Sequence, residues 1–238
     1  MAVISALLGS VAKDGRDDDE NEDRAAAGRY RFAVADGATD AARPEVWAEI
    51  LVAAFVRTWP TSVGVFEARE LARLREQWRS AVYRPGLPWH ATMKLDCRPA
   101  AAAFVGVEID VLHGCYVATA VGDSCVLHVR RGELLSAGPL EDWRQFGSYP
   151  PLVKATAGDE TFRTALWRCE SRYQPGDVLI LATDALAKYF LRHYEMSEKL
   201  DIDECRVESN DAFSEWVADA RLRRGLDNDD TTICVVAL

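Results

Sequence analysis

Residues 30–37 read Tyr-Arg-Phe-Ala-Val-Ala-Asp-Gly, and the pattern of this stretch recurs through the chain. Its apolar residues alternate with a period near two, which predicts a β-strand. The strand stops abruptly at Asp36-Gly37, a pair typical of a turn. An aspartate is therefore left at the end of an apolar run.

Other apolar strands in the sequence also have an aspartate directly after or before them. Asp184, for example, follows the fully apolar residues 178–182 and one threonine. The other aspartates of this kind are Asp23, Asp123, Asp229 and Asp230. If these strands are neighbours in a sheet, their ends bring several carboxylates to one edge.

Clustered carboxylates repel each other, so such a cluster is stable only with bound cations or with raised pKa values. Oxygen ligands without His or Cys favour hard ions such as Mg²⁺ or Mn²⁺. The alternative is that each aspartate simply caps a turn and keeps it soluble. The recurrence at equivalent positions favours a metal-binding cluster over separate turns.

The predicted elements come in blocks rather than in the even rhythm of a doubly wound sheet. Strand patterns dominate residues 102–135, and a closing strand is predicted at the C-terminus. Helices are predicted from Pro44 onward, at 66–83, at 185–193, and at 211–224 with Asn210 as N-cap and Gly225 as stop. Residues 136–176 are rich in Gly and Pro and are predicted to form an irregular, flap-like segment within one domain, residues 1–238.

Composition excludes several classes of function. The 238 residues include 28 Lys and Arg against 38 Asp and Glu, a net charge of −10, which disfavours a nucleic-acid partner. No apolar run approaches the roughly 18 residues of a membrane span, and the N-terminus is predicted to be a first strand rather than a signal peptide. The expectation is a cytoplasmic protein with no nucleic-acid or membrane partner. The cysteines and histidines lack zinc-site spacing, and no nucleophile-elbow or phosphate-loop motif is present.

Five short motifs, in order along nearly the whole chain, resemble those of the PPM-type (type 2C) metal-dependent serine/threonine protein phosphatases, in a divergent bacterial-type form. They are Asn21-Glu22-Asp23, Val34-Ala35-Asp36-Gly37, Val121-Gly122-Asp123-Ser124, Leu181-Ala182-Thr183-Asp184 and Asp229-Asp230-Thr231-Thr232. The resemblance implies an α+β fold, a four-layer α-β-β-α sandwich of two antiparallel sheets flanked by helices. The implied metals would lie in a cleft at one end of that sandwich.

The resemblance also implies the roles of individual residues. Asp36 would bridge two Mn²⁺ or Mg²⁺ ions, with the Gly37 carbonyl on one of them. Asp184 and Asp229 would complete one shell, Asp23 with Glu22 would serve the other side, and Asp123 would help to hold a third, looser ion. Asp36, Asp184 and Asp229 are the implied catalytic residues. The implied reaction is hydrolysis of phosphoserine or phosphothreonine by a metal-activated water, with a phosphoprotein as substrate and a cognate serine/threonine kinase as partner in signalling.

The sequence departs from the family pattern on the substrate side. The arginine that usually precedes the first motif is missing, which leaves Lys13 or Arg16 as candidates for binding the substrate phosphate. Asp36-Gly37 is followed by Ala38-Thr39-Asp40 where many members have further glycines, and Asp184 is followed by Ala185 rather than Gly. Two main hypotheses therefore stay open: an active phosphatase, and a non-catalytic PPM-like module that binds a phosphoprotein or signalling partner. An unrelated carboxylate-metal hydrolase is a third alternative.

Overall fold

The computed structural model describes residues 4–57, 64–157, 161–197, 199–200, 202–205 and 207–238. Strands and α-helices come in blocks in this part of the chain: three strands, three helices, seven strands, two helices and a last strand. The strands are β1 Ser5–Val11, β2 Arg24–Ala27, β3 Arg31–Gly37, β4 Ala101–Asp110, β5 Cys115–Val121, β6 Cys125–Arg130, β7 Glu133–Gly138, β8 Val153–Lys154, β9 Trp167–Arg172, β10 Asp177–Ala182 and β11 Thr231–Ala237. The helices are α1 Pro44–Arg57, α2 Ala68–Val82, α3 Trp89–Cys97, α4 Asp184–Ser197 and α5 Asn210–Asp219.

The strands form two antiparallel sheets. The first sheet has the order β1-β11-β10-β6-β7, and the second has the order β2-β3-β4-β5-β9 with the short β8 paired to β4. Crossovers therefore put the chain's first and last strands side by side, because β1 pairs with β11 along its whole length. Hydrogen bonding across this pair fixes the N-terminal segment next to Asp229 and Asp230.

Apolar residues on both faces of the central strands build three buried layers. On β10, Leu179 and Leu181 face the second sheet, whereas Ile180 and Ala182 face α4 and α5. This two-residue period explains why residues 178–182 of β10 are all apolar, since both faces of the strand are covered. The sheet-to-sheet layer is completed by apolar residues of β3, β4, β5, β6 and β11, among which valine is the commonest.

Helices cover the outer face of each sheet. Trp47, Leu51 and Phe55 of α1 pack with α2 against the second sheet. Leu186 of α4 and Phe213 of α5 pack against the first sheet. The four-layer α-β-β-α sandwich of two antiparallel sheets is thereby confirmed.

The flap-like prediction for residues 136–176 was wrong in part. Residues 158–160 lie outside the described ranges, but β7 extends to Gly138, β8 pairs with β4, and β9 pairs with β5 along six residues. In β9, charged side chains alternate with half-buried ones because it is an edge strand with one covered face. Because this alternation is weak and turn residues flank it, the sequence did not indicate a strand here. The helix α3 was not predicted, since Leu95 is its one buried residue.

The last helix also differs from its prediction. Ser209, not Asn210, is the N-cap, since its hydroxyl accepts a hydrogen bond from the N–H of Ala212 at 3.1 Å. The Asn210 amide oxygen instead accepts from the N–H of Ser10 at 3.1 Å, linking α5 to β1. After Asp219 the chain widens into a π-helical turn, residues 220–224, before it stops at Gly225 with φ 73°, as predicted.

A buried network of charged side chains lies at the start of β10, at the opposite end from Asp184. Asp177 is 1% exposed, and its carboxylate accepts from Arg130 at 2.6 and 2.8 Å, from the Gln174 N–H at 2.7 Å and faces His128 Nε2 at 2.9 Å. Burial on its own opposes ionisation, but these donors outweigh it and hold the pKa of Asp177 below its usual range.

Asp177→Asn is expected to lower the free energy of unfolding by about 3 kcal/mol at neutral pH, because Arg130 loses a buried anionic partner. A lowered carboxyl pKa stabilises the folded state above the unfolded value, so this contribution fades as pH falls below about 4. Urea denaturation at neutral and acid pH measures both effects. Asp110→Asn, at an exposed pair with His113, is the matched control and should cost much less than Asp177→Asn, because solvent screens an exposed pair. Equal losses of unfolding free energy in the two variants would show that the buried network around Asp177 does not stabilise the fold.

Candidate metal centre

The strand register brings the predicted carboxylates to one end of the sandwich. In the first sheet, Ala182 pairs with both Cys125 and Ile233, so Asp123, Asp184 and Asp229 flank neighbouring strand ends. In the second sheet, Asp36 pairs with Ala103 at the start of β4. Asp23 directly precedes β2, whose first residue pairs with Ala35. The strand-end pattern of the sequence therefore corresponds to a single region in space.

Thr183 and Thr232 lock the ends of β10 and β11 together. The N–H of Thr183 donates to the carbonyl of Thr232 at 3.1 Å, and the N–H of Thr232 donates to the Thr183 hydroxyl at 3.0 Å. Both side chains are fully buried. This reciprocal pair fixes the backbone directly before Asp184 and directly after Asp229 and Asp230.

Gly37 allows the end of β3 to lie close to the segment that carries Glu22. A Cβ at this position would lie 2.7 Å from the carbonyl oxygen of Glu22 and 2.9 Å from Pro44 Cβ, so any side chain would push the two segments apart. Glycine is thus required here for packing rather than for an unusual backbone angle. Its absence of a side chain places Glu22 next to Asp36.

Asp230 has a role that the sequence did not reveal. One of its carboxylate oxygens accepts from the N–H of Lys13 at 2.9 Å, and the other accepts from the N–H of Glu22 at 2.7 Å. Asp230 therefore joins three separate segments at the cleft while remaining buried. The tandem aspartate was visible as a motif, but the partners come from residues more than two hundred positions away.

A cleft of about 470 Å³ holds most of the predicted site residues. Its walls include Glu22, Asp36, Gly37, Asp123, Asp184 and Asp229. Asp23 does not line this cleft; it lines a neighbouring cavity of about 370 Å³ together with Ser10 and Asn21. Asp23 nevertheless lies close enough to share the electrostatics of the cleft.

Burial and mutual repulsion raise the pKa values of these carboxyls. Burial first, and then the charges of neighbouring carboxylates, hold the pKa of Asp23 and that of Asp36 well above the ordinary value. The same causes raise the pKa of Asp123 to about 7 and that of Asp184 to about 6. Burial also raises the pKa of Glu22, against opposing contributions from Thr39 and Lys13. A bound cation would relieve this repulsion.

Buried oxygens without partners show that these residues suit a hard cation. Asp23 is 2% exposed, and neither of its carboxylate oxygens accepts a hydrogen bond, although the hydroxyls of Thr183 and Thr232 are near enough to act against the rise in its pKa. One carboxylate oxygen of Glu22 is also buried without a hydrogen bond. All the candidate metal ligands are oxygens, which Mg²⁺ and Mn²⁺ favour. Within the described residues, however, no three or more His, Cys, Asp or Glu side chains form a group that could hold a metal ion, so an ion would have to draw the carboxylates together.

Neither Lys13 nor Arg16 is among the wall residues of the cleft, but the side chain of Lys13 reaches several of them. The ammonium of Lys13 lies 3.5 Å from an oxygen of Asp229 and 4.0 Å from an oxygen of Glu22, and it donates to the Thr39 hydroxyl at 3.3 Å. Arg16 instead donates to Glu20 at 3.0 Å in an exposed pair. Of the two candidates for binding a substrate phosphate, Lys13 is the one whose side chain faces the carboxylates.

Several solved structures are similar to this chain in fold. No protein-family model and no curated protein matches the chain. Among solved structures, the catalytic domain of the serine/threonine protein phosphatase PstP in complex with two manganese ions has a TM-score of 0.61 and 17% identity, over 99% of this chain and 98% of that one. The PPM Ser-Thr phosphatase MsPP from Mycobacterium smegmatis, in complex with cacodylate, has a TM-score of 0.59 and 16% identity over 100% of both chains. PppA from Pseudomonas aeruginosa has a TM-score of 0.61 and 18% identity, over 99% of this chain and 98% of that one.

The chain has the PPM phosphatase fold. The similarity covers essentially the full length of each compared structure, so the two-sheet sandwich, rather than a fragment of it, is what is shared. Within the described ranges of this PPM fold, no helix has the length and apolar character needed to cross a membrane.

Arg221 is a residue of this PPM fold that the sequence did not single out for the site. Its side chain, 6% exposed, reaches from the π-helical turn to the cleft. Its guanidinium donates to the carbonyl of Asp229 at 2.6 Å, to the Thr231 hydroxyl at 3.2 Å and to the carbonyl of Ala12 at 3.0 Å. Arg221 therefore fixes the backbone of Asp229 relative to the segment that carries Lys13. In sequence it belongs to a basic helix end, which is ordinarily explained by the helix dipole.

Arg221→Met is expected to weaken Mn²⁺ binding by at least about tenfold, because the variant keeps an apolar stem but frees the Asp229 backbone. Isothermal titration calorimetry measures the binding, and a thermal melt shows how much folded stability is lost. Arg223→Met is the matched control, since Arg223 is on the same turn but is exposed and forms an ion pair with Asp219 at 3.3 Å, away from Asp229. Similar Mn²⁺ affinities for the two variants would show that Arg221 does not position Asp229.

Proposed function

We propose that the chain is a divergent member of the PPM family and a metal-dependent phosphatase acting on phosphoserine or phosphothreonine. The observation that supports this most strongly is the gathering of Asp36, Asp123, Asp184 and Asp229 around one cleft of a PPM fold. Raised carboxyl pKa values and the unpartnered oxygens of Asp23 support the same conclusion, because bound cations would stabilise both.

Each carboxylate has a proposed place. Asp36 would bridge two Mn²⁺ or Mg²⁺ ions with the carbonyl of Gly37 beside it, Asp184 and Asp229 would hold one ion, and Asp23 with Glu22 would hold the other. Asp123 would contribute to a third, looser site. When bound, a pair of divalent ions supplies an activated water and offsets charge on the phosphoryl oxygens. The chain's own contribution is a rigid frame, since Asp36 is on a strand and Asp184 opens a helix.

Lys13 is proposed to bind the substrate phosphate in place of the missing arginine. Its ammonium lies beside Asp229 and is held by the Thr39 hydroxyl. A lysine offers a point charge rather than the two-pronged contact of a guanidinium. Binding of the phosphate would exchange the contact with Asp229 for one with a phosphoryl oxygen. The proposed natural substrate is a phosphoprotein made by a serine/threonine kinase.

Hydrolysis of p-nitrophenyl phosphate tests the proposed reaction. The purified chain should release p-nitrophenol with Mn²⁺ or Mg²⁺ and stop when EDTA is added. Phosphate release from a phosphothreonine peptide under the same conditions extends the test to a protein-like substrate. Turnover that persists unchanged in EDTA would contradict a metal-dependent reaction.

A non-catalytic PPM-like module is the second candidate, and one observation favours it. In the described residues no group of carboxylates is already arranged to hold an ion. Such a module would bind a phosphoprotein or signalling partner in the same cleft. Binding of Mn²⁺ and of a phosphopeptide without any phosphate release would support this candidate over the phosphatase.

A further inference from the structure

The segment between β7 and β8 passes over one side of the cleft, and its first half is anchored. Trp143 donates from its indole N–H to an oxygen of Glu195 on α4 at 2.5 Å. Arg144 donates to both oxygens of Glu195, at 2.8 and 3.1 Å, and Phe146 packs against the core beneath α4. The aromatic residues of this half therefore serve the packing of the segment.

The second half is held where it returns to the second sheet. The indole N–H of Trp47 donates to the carbonyl of Val153 at 2.8 Å, and Val153 pairs with Ala102 of β4. The carbonyl of Pro151 packs against Gly122, where an added Cβ would lie 3.1 Å from it and 2.6 Å from Ala103 Cβ. Gly122 has φ 95°, a conformation that favours glycine, and it directly precedes Asp123. Both ends of the segment are thus fixed to the frame that carries the carboxylates.

Tyr149 lies between these anchors and has no such packing role. Its ring is 97% exposed although it lines the cleft together with Asp36, Asp184 and Asp229. The next two residues are both proline, which restricts the backbone beside it. A tyrosine that lies at the cleft between two anchored stretches of backbone and is almost wholly exposed has its apolar surface free for a ligand.

The size and charge of the cleft indicate what that ligand is. About 470 Å³ lies in the range of pockets that enclose a whole small molecule, which is more than one phosphoryl group needs. The described wall residues include no lysine or arginine, and Lys13, whose ammonium reaches them, lies beside Glu22, Thr39 and Asp229. The exposed Asp40 adds a carboxylate that has no assigned metal role. Bound divalent ions would offset the charge of the metal-site carboxylates, whereas Asp40 would stay negative, and an aromatic face beside such a carboxylate attracts a cationic side chain.

We propose that Tyr149 binds the side chain next to the phosphorylated residue of the substrate, and that this side chain is an arginine or a lysine. The inference rests on the proposed phosphatase function and adds a substrate class to it. The phosphorylated residue would enter among the carboxylates, and the neighbouring cation would stack on the Tyr149 ring with Asp40 nearby. Tyr149 is thus a specificity-determining residue.

Two phosphothreonine peptides that differ only in one flanking residue, arginine in one and glutamate in the other, test the proposal. For the wild-type chain with Mn²⁺, kcat/KM should favour the arginine peptide by at least about fivefold. In Tyr149→Ala this preference should shrink severalfold, and Tyr149→Phe should keep most of it because the ring remains. Trp89→Ala is the control for loss of an exposed aromatic residue on α3. It should keep the full preference.

A second measurement separates this proposal from the proposed function. Fluorescence polarisation of the labelled peptides with the Asp36→Asn variant, alone and combined with Tyr149→Ala, reports peptide binding without turnover. A preference for the arginine peptide that depends on the Tyr149 ring supports the proposal even if p-nitrophenyl phosphate is not hydrolysed, in which case only the phosphatase function fails. Equal preference in Tyr149→Ala and wild type, or equal weakening of both peptides, overturns it.

Discussion

Asp36→Asn should lower Mn²⁺-dependent phosphate release by more than about a hundredfold, because it removes the carboxylate proposed to bridge both ions. Asp36 is also repelled by Asp23, Asp184 and Asp123, which together with burial raise its pKa. The same substitution should therefore raise the thermal stability of the metal-free protein while abolishing most of the stabilisation by Mn²⁺. Opposite effects on activity and on metal-free stability are characteristic of a residue that serves binding at the expense of folding.

Phosphate release and melting temperature, each with Mn²⁺ and with EDTA, measure these effects. Asp110→Asn is the control, because Asp110 lies at the opposite end of β4 from the residue that pairs with Asp36. It should change neither activity nor the response to Mn²⁺. An Asp36→Asn protein that keeps wild-type turnover, or that is destabilised without metal, would show that Asp36 is a structural turn residue.

The stability of the metal-free protein should fall as pH rises from about 4 to about 8, by an amount on the order of several kcal/mol. The pKa of Asp123 is raised to about 7 and that of Asp184 to about 6, so the folded state holds protons that the unfolded state has already released. At acid pH these groups are protonated in both states and leave stability unchanged. As pH rises toward their folded pKa, the unfolded state loses its protons first, so the free energy of unfolding falls. Mn²⁺ should reverse this dependence, since it binds the ionised carboxylates.

Urea denaturation at about pH 5 and about pH 8, with EDTA or with Mn²⁺, gives the four values required. Mn²⁺ should stabilise the protein far more at the higher pH. In the double variant Asp123→Asn, Asp184→Asn, the metal-free stability should depend much less on pH over this range. Stability that rises with pH in EDTA would contradict the proposed self-repulsion of the cluster.

The strand ends were predictable because the apolar pattern of a buried strand shows where the strand begins and ends. The apolar run before Asp184 and the alternating run before Asp36 each state where the strand stops, and the register then places both carboxylates at one end. The four-layer arrangement followed from the family resemblance carried by these motifs. Local sequence was sufficient wherever the deciding interaction was the burial of a strand or helix face.

The parts that escaped prediction depend on long-range contacts. Asp230 and Arg221 acquire their roles from Lys13, Glu22 and Ala12, which lie at the other end of the chain. The edge strand β9 has only one covered face, so its pattern resembles that of a polar loop. The contrast between the anchored Trp143 and the exposed Tyr149 likewise depends on where Glu195 lies, and no spacing in the sequence shows this.

Calorimetric titration of Mn²⁺ into the metal-free protein at about pH 8, where the carboxylates ionise most readily, is the most direct test of the metal centre. The wild-type chain should bind about two ions, and Asp36→Asn should lose that binding. Absence of binding to the wild-type chain would mean that the clustered aspartates only terminate strands, and the metal-dependent phosphatase proposal would be wrong.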